Sequence, residues 1–423
     1  MNPALKKLQV LTARKETVID RFLRYVTIDT QSSDDAKTTP STMKQHNLAK
    51  LLYEELKAIG LKNVYYDKTH CYVYAHLEKS KGANSAKTLA LIAHMDTSPA
   101  CSGENVKPRI VKDYRGEEIV LNKAKKISLT PAAFPELLSH MGEDLIVTDG
   151  TTLLGADDKC GVAEIMTVLS YLKEHEEISH PAISVCFTPD EEVGSGAEYL
   201  DFKRLKADFA YTVDGGKLGE LEYECFNAAA CTLTFHGISV HTGTAKDKLL
   251  NASLLAYEFQ SMLPAAEVPE HTEKREGFYF LDKIQGDCEE AKAHYIIRDH
   301  DAKKFSKRKK TMLEIAAYLN KKYGHEVVSV SLEDSYYNLL PRIKPHFHLI
   351  KNARKAMKAL DITPIEEPIR GGTDGARLSY RGLPCPNLCT GGYNFHSRFE
   401  FASVQEMHMV VLMLLRIVEL YAQ

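Results

Sequence analysis

The hydrophobic and polar positions in the first half of the chain predict helices that alternate with buried strands. Three short runs are almost wholly apolar, which is typical of strands covered on both faces: residues 88–93, 182–187 and 209–213. Apolar residues at helical spacing predict one helix over Val18–Val26 and another over residues 43–56, with Ser41 as the N-cap of the second. This alternation predicts an α/β layered core with a largely parallel sheet.

The pattern changes near Phe226. Residues 226–338 contain three segments in which apolar and polar residues alternate, as in strands with one wet face, and two segments at helical spacing. That order predicts a small α+β module of about one hundred residues, an ordinary domain size. Residues 386–392 then return to the pattern of buried strands. We therefore predict an α/β domain in two pieces, residues 1–225 and 339–423, interrupted by an inserted α+β domain over residues 226–338.

Composition and charge argue against several classes of function. The formal net charge is −3 and the lysine and arginine residues are dispersed, so we expect no nucleic-acid partner. No apolar run approaches the ~18 residues of a membrane span, so we expect no membrane association. The nine cysteines form no close CxxC pair, which predicts reduced thiols and a cytoplasmic location. The chain has no P-loop, no dinucleotide-binding glycine motif and no GxSxG elbow.

Acidic and histidine residues follow several of the predicted strands. They are His94 and Asp96, Asp157 and Asp158, Glu191 and Glu192 within TPDEEVGSG, Asp214, and His396. In open α/β sheets, ligands bind outside the carboxyl ends of the strands, so we expect these segments to meet at one edge. Each alone has an ordinary explanation: a solvated strand end, first-turn helix acids, a surface acid pair or a loop residue. Their occurrence together at strand ends favours a site.

A mixed set of histidines and carboxylates is suited to a divalent metal such as zinc. Carboxylates in this number also suit two metal ions about 3.5–4 Å apart with one carboxylate between them. Two dications would neutralise carboxylates that otherwise repel one another. Residues i and i+2 of a strand share a face, so Asp96 can accept the second ring N–H of His94 and orient that ring. Neighbours on an extended segment point to opposite sides, so Glu191 and Glu192 are expected to differ in role.

Six motifs, in this order, carry a specific resemblance: HMDTSP, LLGADDK, FTPDEEVG, YTVDGG, IRGGTDGA and FHSRFEF. They resemble the dizinc aminoacylase/carboxypeptidase superfamily. Within it, TVDGG, EDSYYN, AHYIIRD and GGTDGA resemble the tripeptide aminopeptidase branch, peptidase T. The resemblance covers nearly the whole chain. It implies a dizinc exopeptidase-like catalytic domain with a mostly parallel sheet, an inserted α+β lid or dimerisation domain, and removal of the N-terminal residue from tripeptides.

The resemblance also implies two Zn²⁺ per subunit, for which Co²⁺ or Mn²⁺ would be substitutes. The ligands that it implies are His94, Asp157 and Asp214 for one ion and Asp157, Glu192 and His396 for the other. Asp157 bridges the ions and is preferred to Asp158 because the family motif reads Asp-x-Lys. Asp96 is implied to orient His94, and Glu191 to act as general base and acid.

Substrate contacts follow from the same resemblance. The implied residues are His241, Asn251, Arg298, Gly372 and Thr373. Thr242 stands where relatives usually have proline, which weakens the match around His241. A homodimer through the inserted domain is expected by analogy only.

Two other functions compete with the tripeptide aminopeptidase. One is a dipeptidase or N-acyl amino acid deacylase of the same superfamily. The other is a metal-binding scaffold without catalysis, against which Glu191 argues, because a scaffold needs no base beside a metal ligand.

Overall fold

The computed structural model describes residues 3–423, with side chains described from Lys7 onward. The α-helices are α1 (Pro3–Thr12), α2 (Val18–Val26), α3 (Gln45–Ile59), α4 (Ala156–Glu174), α5 (Phe202–Leu205), α6 (Ala252–Ser261), α7 (Ala302–Tyr323), α8 (Leu340–Ile343), α9 (His348–Lys358), α10 (Asp374–Tyr380) and α11 (Val404–Tyr421). Short 3-10 turns lie at Pro135–His140, Thr242–Thr244, Pro269–His271 and Lys344–His346. The strands are β1 (Lys62–Tyr66), β2 (Val73–Leu77), β3 (Thr88–His94), β4 (Arg109–Val111), β5 (Ile119–Asn122), β6 (Ile127–Leu129), β7 (Leu145–Val147), β8 (Ala182–Thr188), β9 (Phe209–Gly215), β10 (Leu221–Glu222), β11 (Asn227–His236), β12 (Phe278–Gly286), β13 (Glu290–Asp299), β14 (Val328–Tyr336), β15 (Asn387–Cys389), β16 (Gly392–Tyr393) and β17 (Phe401–Ser403).

The main sheet has seven strands in the order β1-β2-β8-β3-β9-β15-β10. Pairing is parallel from β8 to β15 and antiparallel at both edges, so the predicted parallel core is confirmed. His94 pairs with Thr188 across β3 and β8, and Ile92 pairs with Thr212 across β3 and β9. Two residues further along both strands, Asp214 is therefore level with His94 at the carboxyl edge of the sheet.

Helix α4 lies against this sheet and contacts β3, β9, α2 and α11. Every residue from Asp158 to Leu172 is buried. A helix covered on all sides belongs in the interior of a layered domain. The three predicted apolar strands and the predicted helix Val18–Val26 are confirmed.

The predicted helix cap at Ser41 is wrong. Helix α3 begins at Gln45, and Lys44 in its N-cap position makes no side-chain cap. Ser41 instead donates its backbone N–H and its hydroxyl to the carboxylate of Asp190, each over 2.6 Å. A buried polar group needs a hydrogen-bond partner, so the Ser41 hydroxyl bonds to the buried Asp190 carboxylate and does not cap α3.

The chain divides into two compact units. One comprises residues up to Tyr223, Arg342–Glu366 and Thr373–Gln423; the other comprises Glu224–Pro341 and Glu367–Gly372. The second unit is an antiparallel sheet in the order β12-β13-β11-β14, covered by α6 and α7. Along β13 every second residue is buried, as the alternating sequence predicted. None of the helices between Pro3 and Gln423 has the length and apolar composition needed to cross a bilayer.

Candidate active site

His94 ends β3 at the carboxyl edge of the main sheet, and its ring is buried. The ring nitrogen Nδ1 lies 3.0 Å from the carbonyl oxygen of Asp96 and 3.3 Å from its Oδ1. The i, i+2 spacing predicted the contact with the carboxylate but not the shorter contact with the carbonyl oxygen. It leaves Nε2 directed at the carboxylates of Asp157 and Asp214, whose nearest oxygens are 2.8 and 3.2 Å away.

Asp157 stands between two histidines. Its Oδ1 lies 2.8 Å from His94 Nε2, and its Oδ2 lies 3.1 Å from His396 Nε2. The residue lies in the first turn of α4, but its backbone angles are not helical. Because each oxygen faces a different imidazole, the carboxylate has the position that a bridging ligand requires.

Glu192 completes the second half of the cluster. Its Oε2 lies 2.9 Å from His396 Nε2, whereas its Oε1 is buried without a hydrogen-bond partner among the described residues. An orphaned buried carboxylate oxygen is costly unless a cation or donor meets it. The potential ligand atoms of His94, Asp157 and Glu192 all lie within 4.8 Å of one another. The donor set therefore fits a divalent metal.

Asp158 offers an alternative ligand, since it also groups with His94 and Asp214 within 4.8 Å. Its oxygens are already engaged, however. Oδ2 accepts the backbone N–H of His94 and Oδ1 accepts that of Gly161, each over 3.2 Å. These bonds tie the first turn of α4 to the end of β3. The oxygens of Asp157, in contrast, face two histidine rings.

The segment TPDEEVGSG turns rather than running on as a strand. Residues 191–194 form a turn closed by the Gly194 N–H and the Glu191 carbonyl oxygen, 2.7 Å apart. Asp190 begins it with a φ of 53°, a left-handed conformation that aspartate tolerates better than most residues. The premise of an extended segment is therefore wrong, but the two glutamates still point differently. Glu192 meets His396, while the Glu191 side chain has no hydrogen bond to any described residue.

Asp96 connects the histidine to this turn. Its Oδ1 accepts the backbone N–H of Glu191 over 3.0 Å, and its Oδ2 accepts that of Glu192 over 3.2 Å. Asp96 is completely buried. One carboxylate thus holds both the His94 ring and the backbone of the two glutamates.

The electrostatics of the cluster are those of a cation site. Burial alone would lower the pKa of His94, but the carboxylates of Asp214, Asp157 and Asp96 outweigh it and raise that pKa well above its usual value. Hydrogen bonds to Asp157 and Glu192 raise the pKa of His396 to about 11.

Burial also raises the pKa values of two acids in the cluster. Burial, opposed by His94, raises the pKa of Asp214 to about 7. Burial, then the charges of Asp214 and Asp374, raise the pKa of Glu191 well above its usual value. Negative charge is in excess, which a divalent ion would relieve.

Comparison with known proteins identifies the family. Peptidase T of Alkaliphilus oremlandii is 49% identical over 409 residues, covering 96% of this chain and 100% of that protein. The chain belongs to the peptidase T family. Peptidase T of Clostridium acetobutylicum is 52% identical over 408 residues, again 96% of this chain and 100% of the relative. The predicted enzyme class, a tripeptide aminopeptidase and thus a hydrolase, is confirmed at the level of the peptidase T family.

Other comparisons concern the fold. A family profile described as a peptidase dimerisation domain matches residues 223–327. The aminopeptidase PepT of Bacillus cereus has a TM-score of 0.76 at 23% identity, covering 96% of this chain and 98% of its own. A Bacillus subtilis protein described as a dinuclear metal-binding peptidase of the M20 family has a TM-score of 0.64 at 12% identity, covering 95% and 97%. These two structures confirm the predicted α/β fold of peptidase T.

The predicted substrate residues of this peptidase T chain lie in both units. In the second unit, Asn251 caps α6 through Leu254 N–H, and Arg298 Nη1 donates to the hydroxyl of Tyr336. A Cβ at Gly372 would lie 2.7 Å from the ring of Tyr336.

The other two predicted substrate residues are an exposed histidine and a helix cap. His241 is exposed, and its Nδ1 accepts the N–H of Gly243 over 3.2 Å. Thr373, in the first unit, caps α10 through the N–H of Gly375. Their roles, like those of the other substrate residues, stay predictions.

Two further acids support the site without a predicted catalytic role. Asp190, for which the sequence allows a turn residue or a supporting acid, is buried and accepts bonds from Ser41 and from Gln45 Nε2, each 2.6 Å long. Glu400, in FHSRFEF, accepts the backbone N–H groups of Leu154 and Gly155, both over 2.6 Å. Glu400 thus holds the loop that leads into Asp157. The only signal in the sequence was that both acids lie in motifs that also contain a predicted metal ligand.

Proposed function

We propose that this chain hydrolyses the first peptide bond of tripeptides with two metal ions held at the candidate active site. The observation that carries the proposal is the position of Asp157, whose oxygens each meet a different histidine. One ligand set would be His94, Asp157 and Asp214, and the other Asp157, Glu192 and His396. Zinc suits these donors, and Co²⁺ or Mn²⁺ would substitute for it.

When bound, the metal ions would lower the pKa of a water molecule towards neutrality and polarise the carbonyl oxygen of the substrate. The buried acids would favour binding of the metal ions electrostatically. Burial and then Asp157 raise the pKa of Glu192 despite its contact with His396, so its charged form is only partly compensated in the protein alone. A cation beside Glu192 would favour that charged form.

Glu191 is the proposed general base and acid. Its side chain is half-buried and has no hydrogen-bond partner among the described residues, while Asp96 fixes its backbone. Burial raises the pKa of Glu191, which makes its charged form a stronger proton acceptor, and bound dications would favour that charged form. Glu191 would take a proton from the attacking water and later deliver it to the nitrogen of the departing dipeptide. Asp96 would position both Glu191 and His94.

The remaining proposals concern the whole chain. We propose a catalytic domain over residues 1–225 and 339–423, a lid over residues 226–338, and a homodimer formed through that lid, supported by the match to a dimerisation domain. The proposed substrate contacts are His241, Asn251, Arg298, Gly372 and Thr373. The planar guanidinium of Arg298 suits a peptide carboxylate. The cysteine content supports a reducing compartment such as the cytoplasm.

The test is product analysis with Ala-Ala-Ala, Ala-Ala and N-acetylalanine, before and after chelation and again after zinc is restored. We expect alanine and Ala-Ala from the tripeptide, loss of turnover on chelation, and recovery with zinc. Cleavage of the dipeptide alone would indicate a dipeptidase, and cleavage of N-acetylalanine alone a deacylase. Two bound metal ions without turnover of any substrate would indicate the scaffold.

A further inference from the structure

Asp374 is an acid of the GGTDGA motif that the proposed mechanism does not use. It is the first residue of α10 and only 3% exposed. Its Oδ2 lies 3.4 Å from the hydroxyl of Thr188, at the end of β8. The same oxygen lies so close to Gly196 that a Cβ there would stand 2.2 Å away. A glycine at 196 is therefore required to admit the carboxylate beside the segment that carries the two glutamates.

The carboxylate of Asp374 lies next to the proposed reaction centre. Its neighbour Thr188 pairs with His94 in the register of β3 and β8. Thr188 also ends β8 three residues before Glu191, at the start of the turn that carries both glutamates. Asp374 is thus close to both a proposed metal ligand and the proposed base.

Four other buried acids around the site have hydrogen-bond partners for their carboxylates. Asp158 accepts two backbone N–H groups, and Glu400 accepts two more. Asp190 accepts bonds from Ser41 and Gln45. Asp96 holds the His94 ring and the N–H groups of both glutamates.

Asp374 differs from all of these acids. Among the residues that the structure describes, the one hydrogen bond to its carboxylate is the long contact from Thr188. The charges of His94 and Arg377 stabilise this carboxylate from a distance, but neither side chain forms an ion pair with it within the described residues. A buried carboxylate with one long hydrogen bond is suited to a charged donor from a ligand.

We propose that Asp374 binds the α-ammonium group of the substrate's N-terminal residue. In a peptide, one carbon atom separates the amine nitrogen from the first carbonyl carbon, so the group that reads the amine must lie beside the base that acts at that carbonyl. Asp374 has that position and the complementary charge. It would favour a free amine over an acylated one, which distinguishes an aminopeptidase from a deacylase. This inference rests on the proposed function.

The test compares Ala-Ala-Ala with lactyl-Ala-Ala, in which a neutral hydroxyl replaces the amine, on the zinc-loaded wild type and on Asp374→Asn. A hydrogen bond to a charged group is typically worth enough to change affinity by about 10- to 100-fold. We expect Asp374→Asn to lower kcat/KM for Ala-Ala-Ala by that factor, mainly through KM, and to change lactyl-Ala-Ala much less. An equal loss with both substrates, or no loss with either, would overturn the inference.

Two controls test whether a substrate-selective loss is specific to Asp374. Asp190→Asn alters a buried acid whose oxygens are already saturated, so it should leave the ratio of the two substrates unchanged even if turnover falls. If Asp374→Asn does not fold, as judged by its melting temperature, Asp374→Ser replaces it in the same comparison. If the wild-type protein does not cleave Ala-Ala-Ala, the proposed function is refuted instead. Failure of the proposed function is thus distinguishable from failure of the Asp374 inference.

Discussion

Replacing Glu191 by glutamine should remove chemistry while leaving the metal site intact. The substitution preserves the shape of the side chain. It breaks no hydrogen bond to a described residue, and Asp96 continues to hold the backbone N–H over 3.0 Å. A positioned general base contributes typically about 10²–10⁴-fold to rate, or about 2.7–5.4 kcal/mol in the activation free energy. We expect a loss of kcat in that range with two metal equivalents retained.

The matched variant is Glu192→Gln, one residue along. Glu192 lies 2.9 Å from His396, and its other oxygen is a buried acceptor without a described partner. Glutamine removes the charge that would hold the second metal ion. We expect Glu192→Gln to lose about one equivalent of metal on dialysis, and its activity to rise when zinc is added in excess.

The assay is tripeptide hydrolysis with metal content measured on the same samples. Zinc titration should rescue Glu192→Gln and leave Glu191→Gln inactive. Equal metal loss in both variants would refute the division of roles. Turnover by Glu191→Gln within about threefold of the wild type would refute its role as base, since a positioned base normally contributes far more.

Three further outcomes are expected. Glu164 is buried with neither carboxylate oxygen partnered among the described residues, so Glu164→Leu should stabilise the chain by about 1–3 kcal/mol, measured by thermal melting. Burial raises the pKa of Glu164 well above its unfolded value, so the contribution of Glu164 to stability falls as pH rises. The gain from Glu164→Leu should therefore be larger at pH 8 than at pH 5, and an equal gain would contradict this. Because the pKa of His396 is about 11 without metal, zinc loading at pH 8 should release protons, measured by calorimetry in two buffers; no release would contradict it. Glu400→Ala should weaken metal binding by about 10- to 100-fold relative to Glu400→Gln, since only the amide keeps an acceptor for Leu154 and Gly155; equal affinities would contradict its supporting role.

The strand ends were predictable because their signal is local. A buried strand is an apolar run, and the residue that follows it stands at the sheet edge, so His94 and Asp214 could be placed together before any contact was known. The parallel register then puts them level. The helix over Val18–Val26 followed from its 3.6-residue period in the same way.

The supporting contacts were not predictable from such patterns. Ser41 and Asp190 are 149 positions apart, and Glu400 is 245 positions from Gly155. Glu400 accepts N–H groups of loop backbone, which every residue type except proline carries, so its partners leave no trace in the sequence. Asp190 accepts one backbone N–H and two side-chain donors from a distant segment, and no local pattern indicates that pairing. The sequence indicated Asp190 as a turn residue or a supporting acid, but its partners and its left-handed φ depend on the surrounding structure.

Anomalous diffraction at the zinc edge from crystals of the zinc-loaded chain tests the two-metal site most directly. We predict two peaks about 3.5–4 Å apart, one on each side of the Asp157 carboxylate. His94 and Asp214 should contact one peak, and Glu192 and His396 the other. A single peak, or a pair bridged by Asp158 instead of Asp157, would contradict the proposed centre.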